Sequence, residues 1–453
     1  MAGWTPDLSG IGGPKYTAIV EALSEAIKRG DLRSGERLPS QRQLAARLGF
    51  DLTTITRAYD LAQKRGLVVA KGPTGSFVRE TAKASIAAGV QVDTGMNTPP
   101  VPPGEVLQRA ISLGLHSVMQ TGDMSDFQYQ GTGGSGTARR AGSLLMSRMG
   151  LSAEADQLVV TAGAQNGLHA VLSAVAKPGD RIACGRFVYP GFRAIAERMG
   201  VELVALTEMT ASALQAACEE GPISALYVVP TNDNPTTATV PSEERQRLAD
   251  VIQQHDMSLI EDDAYGLLPS EPLPAISSFV PERSWYLLST SKIISPALRV
   301  AFVRTPSVAH ALRTSADVHE TAVMAPPLNA AVVATWVRDG TFDRLVAAIR
   351  GEAAWRMKLA LRILANENLA FDPHGYHLWL RLPSGAQAND ISHALALAGI
   401  GTVPSSRFAI TSTAEQALRV SLGGVAGSET LEFALYALQG HLTASLDRWQ
   451  AVV

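Results

Sequence analysis

Short apolar runs alternate with helical patterns through the middle of this 453-residue chain. The runs lie at residues 159–161, 181–183, 225–229, 258–260, 285–288 and 300–303. Strands that are apolar on both faces and separated by helices are typical of a mostly parallel sheet covered by helices on both sides. From about Pro326 helical patterns dominate, with strand-like runs at 377–382 and 418–421, which predicts a smaller α+β domain after the sheet.

Four short motifs follow one another along this alternating region. They are Thr161-Ala162-Gly163-Ala164-Gln165, Asn234-Pro235-Thr236, Asp262-Asp263-Ala264-Tyr265 and Ser289-Thr290-Ser291-Lys292. Arg299 follows Lys292 at a short distance, and Arg419 lies in the second strand-like run of the smaller domain. Each motif alone is uninformative, whereas four in this order and at this spacing are hard to obtain by chance.

Together these motifs resemble the pyridoxal-phosphate (PLP) site of the class I aminotransferases. The resemblance makes Lys292 the catalytic lysine, whose amine bonds to the aldehyde of the cofactor. It makes Asp262 the carboxylate that faces the pyridine nitrogen. Asp262 is preferred to Asp263 because successive side chains of a strand point to opposite faces.

The same resemblance implies the other cofactor-binding residues. They are Gly163, Ala164 and Gln165 at a helix start, with Arg299, for the phosphate; Asn234 and Tyr265 for the phenolate oxygen; Tyr189 for stacking on the ring; Tyr129 for the phosphate of a neighbouring subunit; and Ser289 and Ser291 beside Lys292. Arg419 resembles the arginine that holds a substrate carboxylate, a task suited to the parallel N–H donors of guanidinium. A small-molecule amine or amino acid is therefore the expected effector. Residues 131–136 also fit G-x-G-x-x-G, but no buried strand precedes them, so NAD binding is not expected.

The N-terminal region, from about residue 14 to 78, has a different pattern. Tyr16, Ile19, Val20, Leu23 and Ile27 recur at helical spacing. Residues 40–43 form a capping box for a second helix that Gly49 ends, and Asp51 can cap a third. Two short strands around a turn at residues 72–75 then predict a β-hairpin wing.

This region resembles the GntR-type winged helix-turn-helix, which implies double-stranded DNA as a partner. The matching segments are residues 35–40, 44–49, 57–59, 65–68 and 75–78. The residues expected to contact DNA are Arg42, Thr53, Thr54, Arg57 and Lys71. Residues 1–80 hold 12 Lys/Arg and 8 Asp/Glu, a net charge of +4 within a chain of net charge −3, which suits DNA binding by this region.

Two positions depart from these families. Leu52 stands where the GntR family usually has a basic residue after the cap of the recognition helix, so it either contacts a thymine methyl or is buried. Thr237 stands where the aminotransferases have glycine in Asn-Pro-Thr-Gly. Because glycine permits backbone angles that threonine resists, the turn that orients Asn234 is expected to change.

We predict a multidomain chain. A winged helix-turn-helix DNA-binding domain covers residues 1–79, a linker covers 80–92, and an aminotransferase-like α/β domain covers 93–453, with a large subdomain at about 93–325 and a small one at about 326–453. Two cysteines, Cys184 and Cys218, exclude a disulfide framework and suit a reducing cytoplasm. No apolar run reaches about eighteen residues, so no membrane partner is expected, and the scattered histidines predict no metal site.

A GntR-type domain joined to a class I aminotransferase-like domain resembles the MocR group of PLP-dependent transcriptional regulators, over essentially the whole chain. The resemblance implies a cytoplasmic homodimer that uses Lys-bound PLP to sense a small amino compound or a vitamin B6 form. Two alternatives stay open. One is a working aminotransferase that carries a DNA-binding domain, and the other is a DNA-binding protein whose second domain serves only dimerisation.

Overall fold

The computed structural model describes residues 4–6, 14–29, 31–32, 36–64, 67–70, 75–78, 96–121, 124–365, 368–397, 399–411, 415–424 and 427–450. The chain divides into two compact units, residues 1–90 and 91–453. The predicted linker at 80–92 and the predicted DNA contact Lys71 lie outside the described residues. No helix in the described part of the chain is long and apolar enough to cross a membrane.

The first unit contains three helices and a two-stranded antiparallel sheet: α1 Lys15–Arg29, α2 Gln41–Leu48, α3 Leu52–Lys64, β1 Val68–Ala70 and β2 Ser76–Val78. Leu23, Leu44 and Ile55 are each at most 3% exposed and form the centre of its core. Burial of one such side chain contributes about 1.5–3 kcal/mol. The expected helix-turn-helix with its β-hairpin is therefore present.

Hydrogen bonds at the helix ends explain why α2 is so short. Ser40 Oγ accepts from the Gln43 backbone N–H at 3.3 Å, and Gln43 Oε1 accepts from the Ser40 N–H at 3.0 Å, so the predicted capping box is present. Gly49 ends the helix at φ +64°, in the left-handed region that glycine adopts at little cost. Asp51 Oδ1 then accepts from the Thr53 N–H at 2.7 Å and caps α3.

The second unit has eleven helices and eleven strands in its described residues. The helices are α4 Val106–Thr121, α5 Gly136–Met146, α6 Ala164–Val175, α7 Pro190–Met199, α8 Ala211–Glu220, α9 Ser242–Gln254, α10 Val308–Ala322, α11 Pro327–Asp339, α12 Thr341–Leu364, α13 Ala388–Leu397 and α14 Ser428–Gln450. The strands are β3 Leu158–Thr161, β4 Arg181–Gly185, β5 Glu202–Leu206, β6 Ala225–Val228, β7 Ser258–Asp262, β8 Ser284–Ser289, β9 Ala301–Arg304, β10 Leu369–Phe371, β11 His377–Arg381, β12 Val403–Pro404 and β13 Ala417–Ser421.

Seven of these strands form one sheet in the order β3-β9-β8-β7-β6-β4-β5, and only β9 runs against its neighbours. Every residue of β3, β6 and β8 is buried, as expected for a sheet covered on both faces. The other four strands form an antiparallel sheet in the order β10-β11-β13-β12. The expected α/β large part and smaller α+β part are both present.

Three strands were not predicted. Strand β5 begins at the exposed Glu202, only its last residue is buried, and it lies at the edge of the large sheet. The strands β10 and β12 are three and two residues long and lie at the edges of the small sheet. Edge strands bury only part of their surface, so their apolar signal is weak.

Candidate functional site

The predicted motifs meet at one edge of the large sheet. Strands β3, β4, β6, β7 and β8 all run in the same direction, so their carboxyl ends share this edge. Each of the four motifs contains or closely follows such an end: Gly163 after β3, Asn234 after β6, Asp262 at the end of β7 and Lys292 after β8. Ligands of α/β proteins bind at this edge of the sheet.

The Lys292 side chain is partly buried among polar and charged groups. Its Nζ donates to the backbone carbonyl of Asn97 at 2.5 Å, and the Lys292 carbonyl accepts from the Tyr376 hydroxyl at 2.9 Å. Burial lowers the pKa of Lys292 to about 8; Arg419 lowers it further, and Asp262 opposes both. A substantial fraction of neutral amine near neutral pH is what attack on an aldehyde requires.

The two neighbouring aspartates have different partners. Asp262 Oδ2 accepts from the Tyr227 hydroxyl at 3.1 Å, while Oδ1 is buried and has no hydrogen-bond partner among the described residues. Burial raises the pKa of Asp262 to about 6, against the effect of the Tyr227 bond. Asp263 Oδ2 instead accepts from the Tyr286 hydroxyl at 2.9 Å, and its Oδ1 is also buried without a hydrogen-bond partner among the described residues. The unpaired Asp262 oxygen can accept a hydrogen bond from a protonated group of a ligand.

The start of helix α6 and the Arg299 guanidinium lie together in another part of the site. Gly163 precedes helix α6 at φ +86°, and a β-carbon there would lie 2.8 Å from the Arg299 guanidinium. Arg299 Nη2 donates to the Ala162 carbonyl at 2.8 Å. Ala164 and Gln165 form the first turn of α6, and Gln165 Nε2 donates to the Gly191 carbonyl at 3.1 Å. N–H groups of a helix start beside a guanidinium suit a phosphate.

Asn234 and Arg419 are paired in the buried interior. Asn234 Oδ1 accepts from Arg419 Nη1 at 2.9 Å, and the two residues are 7% and 2% exposed. The Arg419 guanidinium also lies 5.3 Å from the centre of the Phe408 ring. Thr237 adopts φ +65°, in the left-handed region that glycine adopts more readily than threonine does.

Four further sequence-predicted residues differ in their surroundings. Tyr189 caps α7 and is partly buried; burial raises its pKa, Asp262 adds to this and Arg299 opposes it, which places the ring near both. Ser289 Oγ accepts from the Ser291 N–H at 3.2 Å, and Ser291 Oγ is buried with no partner among the described residues. Tyr129 is 83% exposed, and no described hydrogen bond joins it to the Lys292 cluster of its own chain.

The site also contains polar residues that sequence reasoning missed. Asn97, His377 and Ser421 are at most 5% exposed, and Asn97 forms hydrogen bonds with Tyr265, His377 and Ser421. Asn97 precedes the proline segment 99–103, and His377 begins a predicted strand. A polar residue at the start of an apolar strand was the available signal, but it did not indicate which partners would meet.

A second candidate surface lies on the first unit. Arg42, Thr53 and Arg57 are exposed and Thr54 is partly exposed, at the start of α2 and along the first turns of α3. Leu52, the first residue of α3, is 42% exposed, so the alternative of a buried leucine is wrong. Exposed basic and hydroxyl side chains on a helix start suit phosphate and base contacts in a DNA groove.

The residues around Lys292 fit pyridoxal phosphate. The unpaired Asp262 oxygen can accept from a protonated pyridine nitrogen, and Asn234 and Tyr265 can donate to the phenolate oxygen. The α6 start with Arg299 can hold the phosphate, and the Lys292 amine can bond to the aldehyde. When bound, the cofactor supplies an electron sink that the twenty amino acids lack.

Comparisons with known proteins match both units of the chain. Residues 91–437 match the family "Aminotransferase class I and II", and residues 15–78 match "Bacterial regulatory proteins, gntR family". The uncharacterized HTH-type transcriptional regulator YdeF of Bacillus subtilis is 29% identical over 444 residues, which cover 96% of this chain and 96% of that protein. The 2-aminoadipate transaminase of Thermus thermophilus is 31% identical over 210 residues, covering 43% of this chain and 52% of that protein.

Among solved structures, the kynurenine aminotransferase of Pyrococcus horikoshii superposes with a TM-score of 0.69 at 20% identity, covering 78% of this chain and 90% of that one. Similarity at this identity establishes the fold of the second unit. With the family match and the N-terminal GntR match, it gives the domain pairing that the sequence predicted for MocR-type regulators. The chain therefore belongs to the class I and II aminotransferase family, in the form that carries a GntR-type DNA-binding domain at its N-terminus.

Proposed function

We propose that this chain is a DNA-binding transcriptional regulator that uses PLP bound to Lys292 to sense a small amino compound or a vitamin B6 form. The observation that carries the proposal is the unpaired Oδ1 of Asp262 in the same site as the partly buried Lys292 amine. An unpaired buried carboxylate oxygen is costly unless a ligand satisfies it. In the same chain, a GntR-type domain supplies the exposed DNA-contact surface.

The chemistry of the site indicates what the effector contains. An amine is needed to displace Lys292 from the cofactor, since only an amine can take its place on the aldehyde carbon. Arg419 supplies a buried guanidinium, which suits a carboxylate on the same molecule. An amino acid therefore fits the site better than a simple amine does. For the regulator to respond, this ligand must bind the DNA-competent and DNA-incompetent arrangements with different affinity.

A homodimer is part of the proposal. Tyr129, Leu113, Met119 and Met124 are each at least 68% exposed. Cover by a partner would remove these side chains from water, which favours association. A second copy would cover them and would give Tyr129 the phosphate contact that it does not make within its own chain.

One experiment joins the cofactor to DNA binding. Binding of a DNA fragment selected by the protein from a random pool is measured while amino acids are added, with visible absorbance recorded in parallel. We expect one amino compound to change both signals over the same concentration range. Lys292→Ala should lose both responses, whereas Lys358→Ala, at an exposed lysine of α12, should keep them. A Lys292→Ala protein with a normal DNA response would refute sensing through this lysine.

A working aminotransferase with a DNA-binding domain is the second candidate. The similarity to the 2-aminoadipate transaminase favours it, together with the buried Asn234–Arg419 pair. Turnover of an amino acid with a keto acid separates the two candidates. Many catalytic cycles per subunit would support the enzyme, and a single half-reaction that stops would support the regulator.

A further inference from the structure

A chain of hydrogen bonds runs through the buried side chain of Asn97. Its Nδ2 lies 2.9 Å from the Tyr265 hydroxyl and 3.1 Å from His377 Nδ1, and its Oδ1 accepts from Ser421 Oγ at 2.8 Å. His377 Nε2 lies 3.1 Å from the Asp233 carbonyl oxygen. Asn97 is 1% and His377 is 0% exposed, so both side chains are shielded from bulk solvent.

The direction of every bond in this chain can be worked out. A carbonyl oxygen only accepts, so His377 Nε2 carries the proton that faces Asp233. Burial, followed by Arg419, lowers the pKa of His377 to about 3, so the imidazole is neutral and its Nδ1 is an acceptor. The atom of Asn97 that faces Nδ1 must then be the NH2 group. This fixes the orientation of the amide, and Ser421 facing the other side agrees with it.

The consequence falls on Tyr265. The amide of Asn97 donates to the Tyr265 oxygen, so the single hydroxyl proton of Tyr265 is not used in that bond. Tyr376 directs its own proton to the Lys292 carbonyl, so its oxygen can accept the Tyr265 proton while the site is empty. The other charged groups that act on Tyr265 are Arg419, Asp262 and Asp233. A phenolate oxygen that enters the site is the stronger acceptor because it is charged, and Asn97 leaves the Tyr265 proton available for it.

We propose that Asn97 is a positioning residue of the cofactor site: its amide, oriented by His377 and Ser421, directs the Tyr265 hydroxyl proton to the phenolate oxygen of PLP. The inference rests on the proposed cofactor site. The backbone of Asn97 contributes as well, because its carbonyl holds the Lys292 amine. The segment that follows Asn97 is held by the loop after β13. The Gly424 N–H donates to the Pro99 carbonyl at 3.2 Å, and the Val101 N–H donates to the Gly424 carbonyl at 3.3 Å.

The test is a double-mutant cycle read by absorbance. The full-length protein saturated with PLP is titrated with acid and base, and the midpoint of its visible spectral change is recorded. Tyr265→Phe should raise the midpoint, because the phenolate oxygen loses a donor. Asn97→Ala should raise it less, and Asn97→Ala with Tyr265→Phe should match Tyr265→Phe alone, since Asn97 acts through Tyr265.

Asn97→Asp gives a second, nearly isosteric variant that keeps an acceptor for Ser421. Because it replaces the donor to Tyr265 by an acceptor and adds a negative charge, we expect a larger shift than in Asn97→Ala. Only the part of this excess that acts through Tyr265 should be lost in the Tyr265→Phe background, and the part due to the charge should remain. An unmoved midpoint in Asn97→Ala, or shifts that add in the double variant, would overturn the inference. An unmutated protein with no visible absorbance would instead overturn the cofactor site itself.

Discussion

The low pKa of Lys292 gives a prediction that can be worked through from the structure. The fall from 10.5 to about 8 corresponds to about 3 kcal/mol of preference for the neutral amine. Near pH 7 roughly one molecule in ten then has a neutral Lys292, against roughly one in three thousand for an unperturbed lysine. Because only the neutral amine attacks an aldehyde, capture of PLP should be roughly 300-fold faster than for an exposed lysine.

The assay is the rate at which visible absorbance appears when cofactor-free protein is mixed with PLP, over a range from about pH 6 to about pH 9. The rate should rise about tenfold for each pH step of one below about pH 8 and level off above it, since the neutral fraction follows that course. A rate that does not change over this range, or that still rises steeply at the upper end, would refute the assigned environment of the amine.

Two substitutions test the cause of the shift by moving the midpoint in opposite directions. Arg419 lowers the pKa of Lys292 and Asp262 raises it, so Arg419→Gln should shift the rate profile to higher pH and Asp262→Asn to lower pH. Asp263→Asn, with the same loss of charge one residue further on, should leave it in place. Because Asp262 is also the residue proposed to face the cofactor, the midpoints are measured again without PLP, from the acylation rate of Lys292 followed by mass spectrometry.

Two further predictions concern the phosphate corner and the DNA surface. Gly163→Ala should weaken PLP binding at least about tenfold, since its β-carbon would lie 2.8 Å from the Arg299 guanidinium. The control is Gly179→Ala, at a similar φ of +89° but with open space around it. It should lower the free energy of unfolding by about 1–2 kcal/mol and leave PLP affinity unchanged. Arg42→Ala and Arg57→Ala should each weaken binding to selected DNA by about 1–3 kcal/mol without changing PLP absorbance, as measured by gel shift; unchanged affinity in both would remove α2 and α3 from the DNA surface.

The sequence was sufficient for the parts of the structure that local rules determine. The capping box at Ser40, the glycine stop at Gly49 and the buried runs of the large sheet all depend on residues close together along the chain. The order of the motifs predicted the shared sheet edge because parallel strands place their carboxyl ends together. The edge strands were missed because few of their side chains are buried.

The polar network behind Lys292 could not be predicted in the same way. Tyr265, His377 and Ser421 lie 168, 280 and 324 residues after Asn97 along the chain. No periodicity relates such positions, and each residue alone is common in loops and strand ends. Only the pairing of β11 with β13 and the path of the segment after residue 95 bring these residues to the lysine.

Thr237 shows why a departure from a family motif can leave a site intact. Its left-handed conformation costs about 1–2 kcal/mol relative to an ordinary backbone. Glycine would remove that cost, but it would lose about 0.4–1 kcal/mol through the greater freedom of the unfolded chain and about 0.8 kcal/mol of buried methyl contact. These effects nearly cancel, so threonine is accommodated in this turn. Two hydrogen bonds hold the turn: the Thr237 N–H donates to the Asp233 carbonyl at 2.7 Å, and the Asp233 N–H donates to the Ala238 carbonyl at 2.8 Å. Asn234 stays bonded to Arg419, and the missing glycine therefore does not distinguish a regulator from an enzyme.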